Sequence, residues 1–339
     1  MGLNSWNTYE KESPGVMEKP LACWEGRDYY KDEVLPSLTI ILKTGGCRHN
    51  RCRMCSYRFE RYKEQTPDKL ASLIISQLDW VLEHHNLEKI RMVKIYTSGS
   101  FFDPDEVPQG VVNTTARIFK GKLVVAETRP EFVESGRIGE FMAMIDTGEW
   151  DTPLTVAMGL ETTSDFIREK CIDKGFSWQD FLSAARETHT SGAGVKAYLL
   201  HKPLFLTEHE ALTDMEQSIR TVSGIADMIS LNPCTVQRHT ELESYWKSGE
   251  YRPPYLWSVL SLLISAPVFV TCDPVGGGRS RGPHNCGTCD RDIVDAIRDF
   301  SLSNDRGLLI DVFEKGCRCR AEWEYILSGE QPYCMPLSG

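Results

Sequence analysis

Apolar and polar positions alternate along the chain in a way that predicts short strands followed by helices. The run at residues 38–42, Leu-Thr-Ile-Ile-Leu, is short, apolar and rich in β-branched side chains, which is typical of a buried strand. Further on, Thr66-Pro67-Asp68 predicts an N-cap, a proline at the first helical position and an acid in the first turn. The apolar residues that follow recur at helical spacing and predict a helix to about His85: Leu70, Leu73, Ile74, Leu78, Val81 and Leu82.

This strand-then-helix pattern recurs and gives six units. The predicted strands are 38–42, 93–96, 122–126, 154–158, 195–200 and 228–231, and the predicted helices are 66–85, 107–119, 132–145, 178–188 and one that begins at 207. Short buried strands that alternate with amphipathic helices indicate a parallel sheet, and right-handed crossovers curl such a sheet towards a barrel. We therefore predict an α/β fold, an incomplete (β/α)6 barrel, with reactive groups at the carboxyl ends of its strands.

The pattern changes on both sides of this barrel. Residues 1–37 are rich in proline and tryptophan and are predicted to be an irregular extension that packs on the barrel at 38–235. The Pro253-Pro254 pair ends the alternation, which places a module boundary near residue 236 and leaves a C-terminal module at 236–339. Within this module the apolar run 256–267 predicts a packed helix that is too short to span a membrane.

Composition narrows the class of protein. The 339 residues are 41% apolar, which suffices for a real core, and no apolar run reaches the roughly 20 residues of a membrane span. The chain begins with no basic-then-apolar signal, so we expect a cytoplasmic location and no membrane partner. In that setting the twelve cysteines indicate metal ligands and reduced thiols. The net charge of −10 argues against indiscriminate nucleic-acid binding, although local basic clusters could contact phosphates or simply face solvent.

Three cysteines stand close together after the first predicted strand. Cys47, Cys52 and Cys55 have the spacing C-x4-C-x2-C, with no fourth cysteine nearby. A structural zinc site normally takes four protein ligands, so three thiols predict a metal centre with one open position, and they suit a 4Fe–4S cluster. Two alternatives stay open, a zinc site completed by a distant residue and a set of buried thiols without metal.

Polar residues follow the later predicted strands. Ser98-Gly99 follows the second strand, where glycine lets the backbone approach a ligand and the hydroxyl can accept a hydrogen bond from an ammonium; the alternative is a simple turn. Glu127 and Arg129 follow the third strand and Glu161 the fourth, which puts carboxylates at the predicted cleft. The alternative for the first two is that they only pair with each other. Weaker candidates at later strand ends are His201, Lys202 and Asn232.

A second cysteine group lies near the C-terminus. Cys286 and Cys289 form a C-x2-C pair, and Cys317 and Cys319 form a C-x-C pair. Four thiols are the ligand set of a closed structural zinc site, which is our first choice, with Cys272 as an alternate ligand. An auxiliary iron–sulfur cluster and reduced thiols without metal remain the alternatives.

The first cysteine loop resembles the cluster-binding loop of radical S-adenosylmethionine (SAM) enzymes, although its first gap has four residues where the usual pattern has three. The resemblance implies a 4Fe–4S cluster held by the three cysteines, with SAM on the open iron. It also implies that SAM is contacted by Tyr57 beside the adenine and by residues at the strand ends, namely Ser98, Gly99, Glu127, Arg129 and Glu161.

Several longer strings resemble a narrower family, the radical SAM subunits of archaeal archaeosine synthase. These strings lie, in order, at residues 47–57, 127–131, 251–257, 281–290 and 317–323, so the resemblance covers nearly the entire chain. It implies a lyase step in making the modified base archaeosine at position 15 of the tRNA D-loop. A partner subunit would attach lysine to a deazaguanine base, and this chain would cleave the lysine C–N bond with a 5′-deoxyadenosyl radical, leaving the amidine.

The same resemblance implies tRNA as substrate, a complex with the lysine-transferring subunit and an electron donor such as ferredoxin. The candidate tRNA contacts near the mouth are Arg48, Arg51, Arg53 and Tyr57. Two other functions stay open. One is a different radical SAM modification of tRNA, such as methylthiolation or elongator-type transfer, and the other is a non-enzymatic zinc protein that binds RNA.

Overall fold

The structure, a computed structural model, describes residues 17–63 and 66–331. Residues 1–16 of the predicted N-terminal extension lie outside this range. The described strands form one eight-stranded sheet in the order β1 to β8. Their bounds are β1 Ala22–Tyr30, β2 Glu33–Ile41, β3 Met92–Tyr96, β4 Leu123–Glu127, β5 Leu154–Glu161, β6 Gly194–His201, β7 Met228–Pro233 and β8 Thr271–Cys272.

Strands β2 to β7 are the six predicted strands, and each is parallel to the next. The helices between them lie in the crossovers that a parallel sheet requires. The helices are α1 Pro67–His84, α2 Gln109–Ile118, α3 Ser135–Ile145, α4 Asp165–Ile167, α5 Trp178–Thr190, α6 Glu208–Val222, α7 Glu241–Lys247, α8 Leu256–Ser265, α9 Asp290–Ser303, α10 Arg306–Lys315 and α11 Arg320–Gly329. The prediction of a partial (β/α)6 barrel with a C-terminal cysteine-rich module is confirmed.

Helix starts follow local chemistry. Thr66 caps α1 by accepting a hydrogen bond from the backbone N–H of Lys69, with Pro67 at the first helical position. Ser177 and Thr207 each form a capping box at the start of α5 and α6. Each cap therefore sets the residue at which the loop from the preceding strand ends and the helix begins.

The prediction that residues 1–37 are irregular is wrong for residues 33–37, which begin β2, and for Ala22–Tyr30. This latter segment is β1, an edge strand that pairs antiparallel with β2. Its middle residues are exposed, so it lacks the apolar pattern by which buried strands are recognised. The Tyr29 ring packs edge-on against Phe269, with ring centroids 5.0 Å apart, so β1 meets the C-terminal module.

The C-terminal module continues the barrel sheet. Its strand β8 pairs parallel with β7, and the predicted helix at 256–267 forms α8, which is buried along most of its length. The division at residue 236 therefore falls between two strands of one sheet, and the three-part division of the chain stays a prediction. In the described part of the chain, no helix is both long and apolar enough to cross a membrane.

A group of apolar residues lines part of the barrel interior. They come from four neighbouring strands and are Leu35, Met92, Leu123, Val125 and Ala157, which we call the floor cluster. Side chains alternate across a strand, so these residues share the inward face with the polar residues two positions further along. Met92 and Val125 of the floor cluster also line the barrel cavity.

Candidate active site

A cavity of about 750 Å³ lies inside the barrel. All nine residues predicted to hold the cluster and SAM line this cavity: Cys47, Cys52, Cys55, Tyr57, Ser98, Gly99, Glu127, Arg129 and Glu161. Glu127 and Glu161 are the last residues of β4 and β5, and the others lie in the loops after β2, β3 and β4. The carboxyl ends of these strands meet at the same side of the sheet. The fold thus brings one predicted site together from segments more than 100 residues apart.

The cysteine loop is anchored to its surroundings by backbone hydrogen bonds. The N–H of Cys55 donates to the carbonyl of Cys52 at 3.2 Å, and the N–H of Arg53 donates to the carbonyl of Ile172 at 2.9 Å. Burial raises the pKa of Cys52 to about 11 and raises that of Cys55, so both are thiols at neutral pH without metal. Iron binding would displace those protons, and three thiolates around one cavity fit a 4Fe–4S cluster with one open iron.

The loop after β3 touches the cysteine loop directly. A Cβ placed on Gly99 would lie 2.5 Å from the Cα of Cys47 and would also collide with Glu106 Oε2. Glu106 fixes both loops because it accepts hydrogen bonds at 2.6 Å from Thr44 Oγ1 and from the N–H of Ser100. Glycine is therefore required at position 99 by the close approach of the two loops.

The hydroxyl of Ser98, beside that contact, is buried and has no hydrogen-bond partner within the described residues. Leaving a buried hydroxyl unpaired costs about 1–3 kcal/mol, so this atom fits a group that accepts or donates a hydrogen bond from the cavity. Tyr57 lines the same cavity from the cysteine loop, and burial of its phenol raises its pKa to about 12. Both features suit contact with a bound ligand.

The carboxylates at the ends of β4 and β5 differ in their partners. Lys174 Nζ lies 2.6 Å from Glu161 Oε1; burial alone would lower the pKa of Lys174, but the Glu161 charge raises it. Burial raises the pKa of Glu127 to about 7. The alternative that Glu127 pairs with Arg129 is wrong, because Arg129 Nε donates to Glu131 Oε1 at 2.6 Å. Glu127 therefore faces the cavity with a carboxyl that a cationic ligand would ionise.

Sequence analysis missed several polar residues inside the barrel. Lys94 and Lys196 sit at inward positions within apolar strands, and Lys94 Nζ lies 2.7 Å from Asp28 Oδ2 on β1. The hydroxyls of Tyr96 and Tyr198 are 2.6 Å apart. The available signal was the alternation of lysine and tyrosine with apolar residues in Val-Lys-Ile-Tyr and Val-Lys-Ala-Tyr.

The weaker candidates separate in the structure. Asn232 lines the cavity, whereas Lys202 is buried in an ion pair with Glu208, with 2.7 Å between Nζ and Oε2. His201 is fully buried, and burial lowers its pKa to about 4. Lys202 and Glu208 thus belong to the packing between β6 and the C-terminal module.

The candidate tRNA contacts near the mouth are already partly engaged. Arg48 pairs with Asp103 and with Asp105, whose Oδ2 is 2.8 Å away, and Arg53 pairs with Glu241 at 2.7 Å. Arg51 is 3.8 Å from Asp173 and remains largely exposed. A phosphate at Arg48 or Arg53 would have to compete with a carboxylate.

The second cysteine group forms a candidate metal centre. The sulfur atoms of Cys286, Cys289, Cys317 and Cys319 all lie within 4.8 Å of one another. One indole and one amide donate hydrogen bonds to these sulfur atoms: Trp257 Nε1 donates to Cys319 at 3.4 Å, and Asn285 Nδ2 donates to Cys289 at 3.5 Å. Four sulfurs at this separation suit a tetrahedral metal, and hydrogen bonds to sulfur are the usual outer support of such a site.

Cys272, the alternate ligand, is not brought to this group. It lies on β8 and lines the barrel cavity, and its backbone is held by hydrogen bonds to and from Ser301 Oγ at 3.0 and 2.8 Å. Burial raises the pKa of its thiol well above the usual range. The structure therefore assembles the two cysteine pairs without it.

Comparison with known proteins extends these observations. No family model matches the chain. Archaeosine synthase subunit beta of Methanosarcina acetivorans is 36% identical over 332 residues, which cover 94% of this chain and 93% of that protein. The protein of the same name from Thermococcus kodakarensis is 34% identical over 90% of this chain and 95% of its own. Among solved structures, methylornithine synthase shares the fold with a TM-score of 0.50, 15% identity and 85% coverage of both chains.

Proposed function

Since the chain belongs to the archaeosine synthase subunit beta family, we propose that it is a radical SAM enzyme, a carbon–nitrogen lyase acting on tRNA. Its substrate would be the lysine adduct of a deazaguanine base at position 15 of the D-loop. Cleavage of the bond between the lysine ε-carbon and the linking nitrogen would leave the archaeosine amidine on the base. The ε-carbon radical would return one electron to the cluster, and water would add to the resulting C=N bond, so that the lysine part leaves as an aldehyde. The proposal thus assigns one chemical step of archaeosine synthesis to this chain.

The observation that carries the proposal is the meeting of three cysteines and the strand-end polar residues around one barrel cavity. A 4Fe–4S cluster on Cys47, Cys52 and Cys55 would supply the electron that splits SAM into methionine and a 5′-deoxyadenosyl radical. In this proposal the chain positions SAM and the lysine side chain so that the hydrogen on the ε-carbon is the one within reach.

The residues around the cavity have distinct roles in this scheme. Ser98 and the carboxylates of Glu127 and Glu161 would accept hydrogen bonds from the ammonium of SAM, whose charge would favour the ionised form of Glu127. Tyr57 would pack beside the adenine, and the Arg129 guanidinium would meet the ribose or carboxylate. The buried walls would exclude water from a radical.

The base must leave its stack to reach this site. A cavity of about 750 Å³ can hold a small ligand with one nucleotide but not a helical stem, so the target base would be extruded. At the mouth, Arg58 lines the cavity and Phe59 is 53% exposed beside it. We propose that the aromatic rings of Phe59 and Tyr57 stack on extruded bases of the tRNA and that Arg58 and Arg51 pair with its phosphates.

Three partners complete the proposal. Subunit beta in the relatives' name implies a second subunit for those proteins, and we infer a complex with the lysine-transferring subunit here. An electron donor such as ferredoxin would reduce the cluster. A structural zinc ion would bind the four-cysteine group, because four thiols and a closed, hydrogen-bonded shell suit zinc. The reaction would take place in the cytoplasm.

An anaerobic assay with SAM and tRNA carrying the lysine adduct tests the function. We expect archaeosine and 5′-deoxyadenosine to form together, measured by mass spectrometry of tRNA digests, and C55A to form neither. Unchanged adduct under conditions where SAM is cleaved would reject the lyase assignment. Sulfur or another group added to the tRNA would favour a different radical SAM modification, and a colourless protein with zinc alone would favour an RNA-binding role.

A further inference from the structure

Inside the barrel, one layer below the proposed SAM contacts, lies a set of charged residues that the proposed chemistry does not use. Lys94 and Lys196 each precede by two residues a tyrosine that lines the cavity, Tyr96 and Tyr198. Residues two apart on a strand face the same side and are separated by roughly 6.6 Å in a parallel sheet. Both lysines therefore project into the barrel below the tyrosine layer. They lie beside residues of the floor cluster, since Lys94 pairs with Val125 and Lys196 with Ala157 in the sheet register.

The charges in this layer are not balanced. Lys94 is paired with Asp28, with 2.7 Å between Nζ and Oδ2. Lys196 is only 8% exposed and, among the described residues, forms no ion pair; its Nζ lies 4.9 Å from the centroid of the Tyr198 ring. Asp28 and Glu127 act on Lys196 through their charge at a distance, so its ammonium can still form a direct ion pair with an anionic group of a ligand.

Burial, followed by the charge of Lys94, lowers the pKa of Lys196 to about 8. At neutral pH most of these amines are still protonated, so an anionic ligand would find a cation in place. Asp28 is about a quarter exposed towards the cavity and has carboxylate lone pairs beyond those used by Lys94. The layer thus offers one cation and one anion to a ligand that carries both charges.

Resting on the proposed lyase function, we propose that Lys196 and Asp28 form a subsite for the α-amino-acid head of the lysine attached to the base. Lys196 binds the α-carboxylate, and Asp28, held by Lys94, accepts hydrogen bonds from the α-ammonium. Apolar residues of the floor cluster border this subsite, since Ala157 pairs with Lys196 and Leu35 with Asp28 in the sheet register.

The depth of the subsite matches the length of the lysine chain. Four C–C bonds separate the ε-carbon from the α-carbon, and an extended chain of that kind spans about 5 Å. The step from the tyrosine layer to the lysine layer is roughly 6.6 Å. A head group bound at Lys196 would therefore leave the ε-carbon near the level of Glu127 and Tyr96, where the strands end and SAM contacts are proposed.

SAM itself carries an α-amino-acid head, so either SAM or the lysine adduct could in principle supply the group that binds Lys196 and Asp28. The adduct is favoured because the cysteine loop and Ser98 lie beyond the strand ends, whereas Lys196 lies within β6 near the floor cluster. This subsite would give the enzyme a means to select the lysine adduct over a tRNA that has not yet received lysine.

The test uses two analogues of the adduct in a D-arm RNA. One carries 1,5-diaminopentane, which lacks the carboxylate, and the other carries 6-aminohexanoate, which lacks the α-ammonium. Binding is measured anaerobically by fluorescence anisotropy, without SAM, for the cluster-loaded wild type and for K196Q and D28N. We expect the wild type to bind the lysine adduct at least about a hundredfold more tightly than either analogue, because each leaves a buried charge unpaired.

The variants should lose complementary preferences. K196Q should no longer distinguish lysine from diaminopentane while still rejecting 6-aminohexanoate, and D28N should do the reverse, so each variant is a folding control for the other. Equal wild-type binding of all three RNAs, or equal weakening of all three by either variant, would overturn the subsite. So would a K196Q protein that loses SAM affinity and keeps its preference for lysine. Wild-type protein that prefers the lysine adduct but never cleaves it would reject the lyase function and leave the subsite standing.

Discussion

Replacing Gly99 with alanine should disturb the cluster loop, because Gly99 lies against the backbone of Cys47. The new Cβ would lie 2.5 Å from the Cα and 2.7 Å from the Cβ of Cys47, and it would also collide with Glu106. Ordinary contact begins near 3.4 Å, so the backbone at Cys47 would have to retreat by about 0.9 Å. Overpacking of this kind costs about 1–3 kcal/mol.

The effect on activity should exceed the effect on stability. A displacement of about 1 Å at a positioned catalytic group can lower the rate by about a hundredfold. We expect G99A to reconstitute less iron per chain and to cleave SAM at a rate reduced by about that factor. Iron content, the visible absorption of the cluster and 5′-deoxyadenosine formation with dithionite measure these changes.

The matched control is Gly110→Ala in α2, where a Cβ would meet nothing within 4 Å. Alanine in a helix is favoured over glycine by about 0.5–1 kcal/mol, so G110A should be slightly more stable and fully active. If G99A bound iron and cleaved SAM like the wild type, the close approach of the two loops would not govern the cluster site.

Three further experiments test other parts of the structure. E161Q leaves Lys174 buried without its partner and should lower the free energy of unfolding in urea by about 3 kcal/mol. Adding K174M to the same chain should restore part of the loss. An E161Q protein as stable as the wild type would contradict this. C319S should lose the metal of the four-cysteine group in elemental analysis while C272S keeps it, because Cys272 lies in the barrel cavity; equal metal loss in both would refute the assignment. E208Q tests a pH effect. Burial alone would raise the pKa of Glu208, but Lys202 and the hydroxyl of Ser258 lower it below the usual 4.5. The stabilisation of the fold by the Glu208 carboxylate is therefore complete above about pH 4.5 and is lost as the pH falls further. The stability difference between wild type and E208Q should therefore shrink below that pH, and a difference that stays constant down to pH 3 would contradict it.

The sequence by itself determined the repeating units of the fold, and it predicted a metal centre at each of the two cysteine groups. Strand and helix periods are local properties, so the six parallel strands and α1 follow from residues that are neighbours in the chain. The spacing of Cys47, Cys52 and Cys55 is also local, and it predicted an open metal centre before any contact was known. The polar strand ends followed from barrel topology, which places all carboxyl ends on one side.

Tertiary structure alone decided which residues face each other across the barrel. The edge strand β1 has a solvent-facing pattern that no periodicity rule recognises, yet it brings Asp28 to Lys94. Cys272 resembles its neighbours in sequence but lies in the cavity, because β8 pairs with β7 and carries it away from the other four thiols. Lys196 is a single charged residue in an otherwise apolar strand, and its possible role depends on residues that lie on other strands. Burial and charge balance are sums over contacts between segments distant in the chain, and only the folded barrel fixes those contacts.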